Sequence, residues 1–235
     1  MNRYTKNGSF DKIFTIVLKP YYMKNRYLAL VAIPVIIGIL SVVYITQDSP
    51  KTDELTIAGL IDGASPILGN TDAEIIIIEW GDYQCEYCHK FHQNTLDAIK
   101  VKYVDTGVAN IVFRDFILNG PDSELAALAS HCAEDQGKFW EYHNALYENW
   151  GGERTGWITD ESLLALAVSL DLDVSKFDLC VDSKTHTDRV IESTIYGKSI
   201  GIGATPTFLI SNGQDVIKIS GAQPMSVFER AIESL

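Results

Sequence analysis

Two cysteines separated by two residues, Cys85-Glu86-Tyr87-Cys88, are the part of this 235-residue sequence best suited to chemistry. Such a pair can alternate between a dithiol and a disulfide and can exchange disulfides with other thiols. At the start of a helix, unpaired N–H groups and the helix dipole stabilise a thiolate and lower the pKa of the first cysteine. We therefore predict that Cys85 is the attacking thiolate and that Cys88 resolves the mixed disulfide.

Three other chemistries fit the same residues. Cys85-x-x-Cys88-His89 matches the attachment signature of c-type haem, in which His89 would ligate the iron. A zinc site could combine Cys85, Cys88 and either His89 or His92 with another cysteine, although the usual second pair of ligands is absent. A purely structural disulfide would stabilise little, because it closes a very short loop.

The elements around the motif bear on this choice, because they place Cys85 between a strand and a helix. Residues 74–80 form a continuous apolar, β-branched run, which predicts a central strand covered on both faces. After Cys85 the apolar residues follow helical spacing up to about Val104. A second strand is predicted at 109–116, and this strand–helix–strand unit favours parallel pairing.

The remainder of the sequence predicts a helical block followed by a hairpin. Helical patterns cover 122–136, 138–149, 160–170 and 184–199. Strands at 207–211 and 216–220 flank Asn212-Gly213, a strong hairpin turn signal, and Gln223-Pro224 begins a last helix. The order predicts an α/β fold with a helical insertion at about 120–200.

Three separated stretches resemble DsbA-family thiol:disulfide oxidoreductases of the thioredoxin fold. They are LGNTDAEIIIIEWGDYQCEYCHKFH (68–92), DQGKFWEYHNALY (135–147) and GIGATPTFLI (201–210). The resemblance covers about residues 68–235. It implies a thioredoxin fold that exchanges disulfides with thiol-containing protein substrates and needs no metal or organic cofactor. It also implies a redox partner that resets the enzyme.

The resemblance also assigns roles to three residues outside the CxxC motif. Thr205-Pro206 corresponds to the cis-proline loop, which pairs its backbone with substrate peptides. Glu79 occupies the position of a buried acid beneath the active-site disulfide, where a carboxyl group of raised pKa can relay the proton that the leaving Cys88 needs. The alternative for Glu79 is a solvent-facing position at a strand end.

The residues between the cysteines depart from the most oxidising family members. Glu86 adds a negative charge that is expected to raise the pKa of Cys85, and Tyr87 offers no cation to hold a thiolate. Disulfide formation is the first interpretation, and reduction or isomerisation by the same site is the alternative. From other classes, a c-type haem electron carrier and a redox-inactive thioredoxin-like binding module remain open.

The other two cysteines lie in the predicted insertion. If Cys85 and Cys88 form the redox couple, Cys132 and Cys180 are left to pair as a structural disulfide, which is typical of an oxidising compartment. Two buried free thiols are the alternative. At helical spacing, Phe139, His143 and Tyr147 are predicted to line the core of the insertion.

An uncharged apolar run at residues 27–45 precedes this domain. Its 19 residues are about the length that crosses ~30 Å of hydrocarbon as a helix, which predicts an uncleaved membrane anchor in contact with lipid. A cleaved signal peptide is the alternative, but no clear A-x-A site follows. Residues 1–26 are then a basic cytoplasmic tail, 46–68 a tether and 69–235 the catalytic domain outside the cytoplasm.

Charge divides the chain in the same way. Six basic residues and one acidic residue fall within 1–46, whereas residues 47–235 carry a net charge of −17 in a chain of net charge −12. The positive-inside rule places the basic end in the cytoplasm. The acidic body would repel phosphate backbones, so nucleic-acid binding is not expected. The anchor would hold the enzyme near a redox partner that is itself membrane-embedded.

Overall fold

The structure is a computed structural model that describes residues 56–235. The basic tail at 1–26, the apolar span at 27–45 and the first part of the tether lie outside the described residues. None of the helices within residues 56–235 is both long enough and apolar enough to cross a membrane.

Four strands of the described chain form one mixed sheet in the order β2-β1-β3-β4. β1 pairs parallel with β2 and antiparallel with β3, and β3 pairs antiparallel with β4. All seven residues of β1 are buried, as expected of a central strand. The strands are β1 (Ile75–Gly81), β2 (Ala109–Asp115), β3 (Thr207–Ser211) and β4 (Val216–Ser220). The parallel unit and the hairpin predicted from the sequence are therefore confirmed.

Helices cover the sheet and fill the interval between β2 and β3. The segment after β1 is helical from α2 (Glu86–Phe91) through α3 (Asp97–Ile99), with π-helical turns at His92–Leu96 and Lys100–Val104. The insertion contains α4 (Pro121–Glu134), α5 (Phe139–Glu148), α6 (Asp160–Ser169), α7 (Val174–Asp182) and α8 (Thr187–Ser199). The last helix is α9 (Met225–Glu233).

The first helix corrects the predicted tether at 46–68. Residues Ile57–Ile61 form α1, and the side chain of Leu60 is fully buried against the sheet. Leu68 also pairs with Ile111 of β2. The packed domain therefore includes α1. In this helix, Ile57, Leu60 and Ile61 have the spacing of an apolar helix face. The range of α7 is not predicted from the sequence, although Asp173, a residue type typical of helix N-caps, does cap it.

Apolar side chains form three clusters within the described chain. Ile75 and Ile77 of β1 point toward α2, α3 and α9, whereas Ile76 and Ile78 point toward α1. The third cluster fills the insertion and includes Phe139, Tyr142 and Tyr147, as well as both cysteines of the CxxC motif. The redox motif consequently packs against side chains of the insertion.

A disulfide between Cys132 of α4 and Cys180 of α7 crosses the insertion. It joins the two cysteines that the sequence analysis pairs. Beside it, His186 lies 2.8 Å from a carboxylate oxygen of Asp135. On the same helix as Cys132, the buried His131 bridges the carboxylates of Asp115 and Glu134.

Candidate active site

Cys85 lies directly before α2, at the end of a short loop that follows β1. The side chain is 5% exposed. The pKa of Cys85 is lowered to about 7, chiefly by a hydrogen bond from the Cys88 thiol, although burial acts in the opposite direction. Thr205 and the backbone amides of Cys88 and Tyr87 also lower this pKa. A substantial fraction of Cys85 is therefore thiolate at neutral pH.

Cys88 is inaccessible to solvent, and its thiol is free, like that of Cys85. Burial raises the pKa of Cys88 well above its usual value, and the neighbouring Cys85 raises it further. The two cysteines thus differ in both access and acidity. Only Cys85 combines solvent access with an ionised sulfur, and that combination is what a partner thiol or disulfide requires.

Glu79 of β1 is buried rather than solvent-facing, with 2% of its surface exposed. Burial raises its pKa to about 8, and the negative charge on Cys85 contributes to the rise. Its Oε1 atom has no hydrogen-bond partner among residues 56–235. A carboxyl group in this state is mostly protonated at pH 7 and can give or take a proton near that pH.

The loop before β3 lies against Cys85. Its Thr205–Pro206 peptide bond is cis, and the Cys85 sulfur lies 3.5 Å from the carbonyl oxygen of Thr205. The Thr205 hydroxyl is buried and makes no hydrogen bond within the described chain when Cys85 is a thiol. A thiolate would give this hydroxyl an acceptor, which agrees with the contribution of Thr205 to the lowered pKa of Cys85.

The predicted effect of Glu86 on Cys85 does not appear in the structure. The Glu86 side chain is half-exposed, and its carboxylate lies 2.7 Å from the ammonium group of Lys90, one helical turn away. The net shift of the Cys85 pKa is downward. An ion pair in solvent screens the charge that the sequence analysis expected to repel the thiolate. Tyr87 is 57% exposed beside it.

A buried carboxylate that the sequence analysis missed holds the loop before Cys85. Asp82 accepts hydrogen bonds from the backbone N–H groups of Gln84, Leu118 and Asn119 and from the Ser123 hydroxyl. The Gln84 side chain donates to the same Ser123 hydroxyl. An Asp that bonds the N–H two residues later is a common turn signal, so the Asp82–Gln84 spacing could have indicated part of this network.

Three further polar side chains form a buried row beside the motif. The Tyr83 hydroxyl lies 2.9 Å from Nδ1 of His143, and Nε2 of His143 lies 3.1 Å from Nε2 of His92. Burial lowers the pKa of His143 to about 3 and that of His92 well below its usual value, so both rings are neutral. These residues are up to 60 positions apart in sequence, and no local pattern predicts their association.

The ligands of the alternative zinc site do not converge around the motif within the described part of the chain. His89 stacks on Trp150 and lies 3.0 Å from the carbonyl oxygen of Tyr147. Within residues 56–235, the potential metal ligands that converge are those of Cys132, Cys180 and His186, where the two sulfurs are already bonded to each other. At the motif itself, Cys85 and Cys88 are free thiols.

Known proteins resemble this chain in sequence and in fold. A sequence profile of a family described as thioredoxin matches residues 62–234. Disulfide bond formation protein D of Bacillus subtilis is 31% identical over 152 residues, which are 63% of this chain and 68% of that protein. A probable disulfide bond formation protein D of Bacillus cereus is 24% identical over 196 residues, covering 80% of this chain and 89% of its own.

Solved structures show the same fold. The crystal structure of oxidised BdbD from Bacillus subtilis superposes with a TM-score of 0.67 at 29% identity, covering 74% of this chain and 93% of that one. Alpha-DsbA1 of Wolbachia pipientis gives a TM-score of 0.63 at 28% identity, covering 72% of this chain and 89% of its own.

Proposed function

This chain belongs to the DsbA-like thioredoxin family and is a thiol:disulfide oxidoreductase, and we propose that it forms disulfides in protein substrates through Cys85 and Cys88. The observation that carries the proposal is the asymmetry of this pair. Cys85 has a pKa of about 7 and keeps 5% of its surface exposed, whereas Cys88 is fully buried with a raised pKa. One cysteine can meet a substrate, and the other can only exchange with its neighbour.

The reaction begins with the oxidised enzyme. A substrate thiolate attacks the Cys85 sulfur, a substrate–Cys85 disulfide forms, and the Cys85–Cys88 bond breaks with its electron pair on Cys88. A second substrate thiolate then attacks the substrate sulfur of this mixed disulfide, and Cys85 leaves as a thiolate. The substrate loses two electrons and becomes a disulfide, and the enzyme is left as a dithiol.

Glu79 supplies the proton for this sequence. Because the pKa of Cys88 is raised, its thiolate must be protonated soon after it leaves. Glu79 is protonated at pH 7, since its own pKa is about 8, and it lies close enough to the pair for the charge of Cys85 to affect it. In the reverse direction the Glu79 carboxylate accepts the same proton, so one residue serves both directions.

The Thr205–Pro206 loop holds the substrate chain. The Thr205 carbonyl oxygen lies 3.5 Å from the Cys85 sulfur. A peptide whose cysteine is bonded to Cys85 must therefore pass along this loop, where backbone pairing can orient it. The Thr205 hydroxyl stabilises the thiolate that is released in the second step.

The pKa of Cys85 favours disulfide reduction, the alternative direction of the reaction. The pKa of Cys85, about 7, equals the ~7 of thioredoxin, a reductant, and exceeds the ~3.5 of DsbA, a strong oxidant. This value favours reduction, so disulfide formation by this pair requires a potential well below that of DsbA, within the range of about −120 to −270 mV that these two proteins bracket. A measured potential at or below roughly −270 mV would make the protein a reductase instead.

The proposed location of the protein rests on the sequence and on the Cys132–Cys180 disulfide. Residues 27–45 anchor the chain in the membrane, residues 1–26 lie in the cytoplasm, and the redox domain lies outside it, where a Cys132–Cys180 disulfide is stable. A redox partner in the same membrane would reoxidise Cys85 and Cys88. Protease digestion of intact spheroplasts tests the topology, since the redox domain should be digested without lysis.

Trapping experiments test the site. In Cys88→Ser the Cys85 thiolate can attack a substrate disulfide, but the neighbouring thiol that would release the adduct is missing. Covalent adducts with substrate proteins should therefore accumulate and disappear on reduction. Cys85→Ser should form none, and the double variant is the matched control. Equal adducts in Cys85→Ser and Cys88→Ser would contradict the assigned order of attack.

A further inference from the structure

We propose that Glu153, in the loop between α5 and α6, is a positioning residue that makes the Cys85–Cys88 disulfide harder to reduce. The inference rests on the proposed redox role of this pair. A residue of the helical insertion would then help to set the reduction potential of the Cys85–Cys88 pair.

The loop holds the CxxC motif through three hydrogen bonds. The Trp150 indole N–H donates to the carbonyl oxygen of Gln84 at 3.0 Å, and the Arg154 backbone N–H donates to Oε1 of Gln84 at 2.9 Å. Between them, the backbone N–H of Glu86 donates to Oε1 of Glu153 at 3.0 Å. The residues on the two sides of Cys85 are therefore both bound by the same loop.

The conformation of the loop fixes where Glu153 lies. Gly152 and Arg154 both have positive φ, 108° and 54° respectively. A residue with a side chain rarely adopts this region, and the bond from the Arg154 N–H to Gln84 holds it there. Although Glu153 is exposed, its carboxylate is therefore placed by the fold.

Glu153 and the Cys85 sulfur use neighbouring amides. The carboxylate accepts from the N–H of Glu86, while the N–H groups of Tyr87 and Cys88 stabilise the Cys85 thiolate. Two anions that accept from successive amides of one helical turn are close enough to repel each other.

Other charged groups also lie near the motif, and the Arg154 guanidinium keeps its positive charge while it is hydrogen-bonded. Lys90 is paired with the carboxylate of Glu86 at 2.7 Å. The Arg154 guanidinium is directed to the carbonyl oxygen of Leu118 at 3.4 Å. The buried Glu79, with a pKa of about 8, is mostly neutral at pH 7.

The repulsion acts on one redox state only. The reduced enzyme carries the Cys85 thiolate, whereas the disulfide is uncharged. A negative neighbour therefore raises the free energy of the reduced form and favours the disulfide. Neutralising Glu153 should have the opposite effect, with a lower pKa of Cys85 and an easier reduction.

Glu153→Gln tests this, because it keeps the acceptor oxygen and removes the charge. Glu161→Gln, an exposed acid in the first turn of α6, is the matched control. The pKa of Cys85 is followed by thiolate absorbance, and the full-length protein is equilibrated with glutathione at pH 5, 7 and 9. A pKa that falls from about 7 to about 6 shifts the equilibrium toward the dithiol by about fivefold at pH 7 and about tenfold at pH 9. A tenfold change in this equilibrium constant corresponds to a change of about 30 mV in the reduction potential of a two-electron couple.

The pH dependence separates charge from structure. At pH 5 the Cys85 thiol is protonated in both proteins, so Glu153→Gln should shift the equilibrium hardly at all. An equal shift at all three pH values would indicate a rearranged loop and would overturn the proposal. So would a shift no larger than that of Glu161→Gln. Glu153→Ala, which removes charge and acceptor together, must shift the pKa of Cys85 in the same direction.

The outcome also distinguishes this inference from the proposed function. If the wild-type protein does not exchange disulfides with glutathione, the redox role of Cys85 and Cys88 fails. If the wild type exchanges normally and Glu153→Gln matches it, only the role of Glu153 fails.

Discussion

Replacing Glu79 with Gln should stabilise the protein at alkaline pH, by an amount that follows from the burial of its carboxyl group. Its pKa rises from 4.5 to about 8 on folding. The folded state therefore binds more protons than the unfolded state between these values, so stability falls as pH rises from 4.5 to 8. Because the carboxyl ionises at lower pH in the unfolded chain, this pKa shift lowers the free energy of unfolding by about 1 kcal/mol at pH 5 and about 5 kcal/mol at pH 9. Gln carries no charge and avoids this cost.

Urea denaturation of the reduced proteins at pH 5, 7 and 9 measures the effect. The difference in unfolding free energy between Glu79→Gln and the wild type should grow in favour of the variant by about 4 kcal/mol from pH 5 to pH 9. The comparison uses the difference between the two proteins because Cys85 also changes stability with pH. Its pKa is lowered on folding, so it stabilises the folded protein in the upper part of this pH range.

Two controls isolate the cause. In a Cys85→Ser background the gain should persist, since burial is a larger cause of the raised Glu79 pKa than the charge of Cys85. Glu161→Gln, at an exposed acid, should leave the pH dependence unchanged. Parallel stability curves for Glu79→Gln and wild type would refute the reasoning, because they would mean that water reaches the carboxyl group.

Two further predictions concern the site and the insertion. Thr205→Val should raise the pKa of Cys85 toward its ordinary value, because the hydroxyl that stabilises the thiolate is lost; Thr205→Ser should keep the lowered pKa, and the pH dependence of alkylation by iodoacetamide measures both. The Cys132→Ser/Cys180→Ser double variant should lose about 4 kcal/mol of unfolding free energy in urea, since the disulfide closes a loop of 48 residues' separation. A loss below about 1 kcal/mol would show that this loop is already restricted in the unfolded chain.

Much of the fold follows from local patterns in the sequence. The run at 74–80 and the Asn212-Gly213 turn predict β1 and the β3–β4 hairpin, because strand formation and tight turns depend on residues close in sequence. Four of the five insertion helices were predicted for the same reason. The two helices that were not predicted, α1 and α7, are 5 and 9 residues long. In so short a helix only one or two buried side chains mark the inner face.

The candidate site was predictable in its identity and less so in its electrostatics. The position of Cys85 before a helix is visible in the sequence. The net shift of the Cys85 pKa is opposite to the direction expected from Glu86, because the hydrogen bonds to Cys85 and the ion pair of Glu86 with Lys90 depend on side-chain geometry. The carboxylate that does accept an N–H of the motif is that of Glu153, 67 positions away from Glu86.

The sequence by itself determined the chemistry available to this protein: a CxxC pair at a strand–helix junction, and two further cysteines that could pair with each other. Only the tertiary structure decided how that chemistry is tuned. Burial of Glu79 and the approach of Thr205 to Cys85 both arise where distant segments meet. A pKa depends on the solvent exclusion and charges around a group, and those are properties of the packed chain rather than of neighbouring residues.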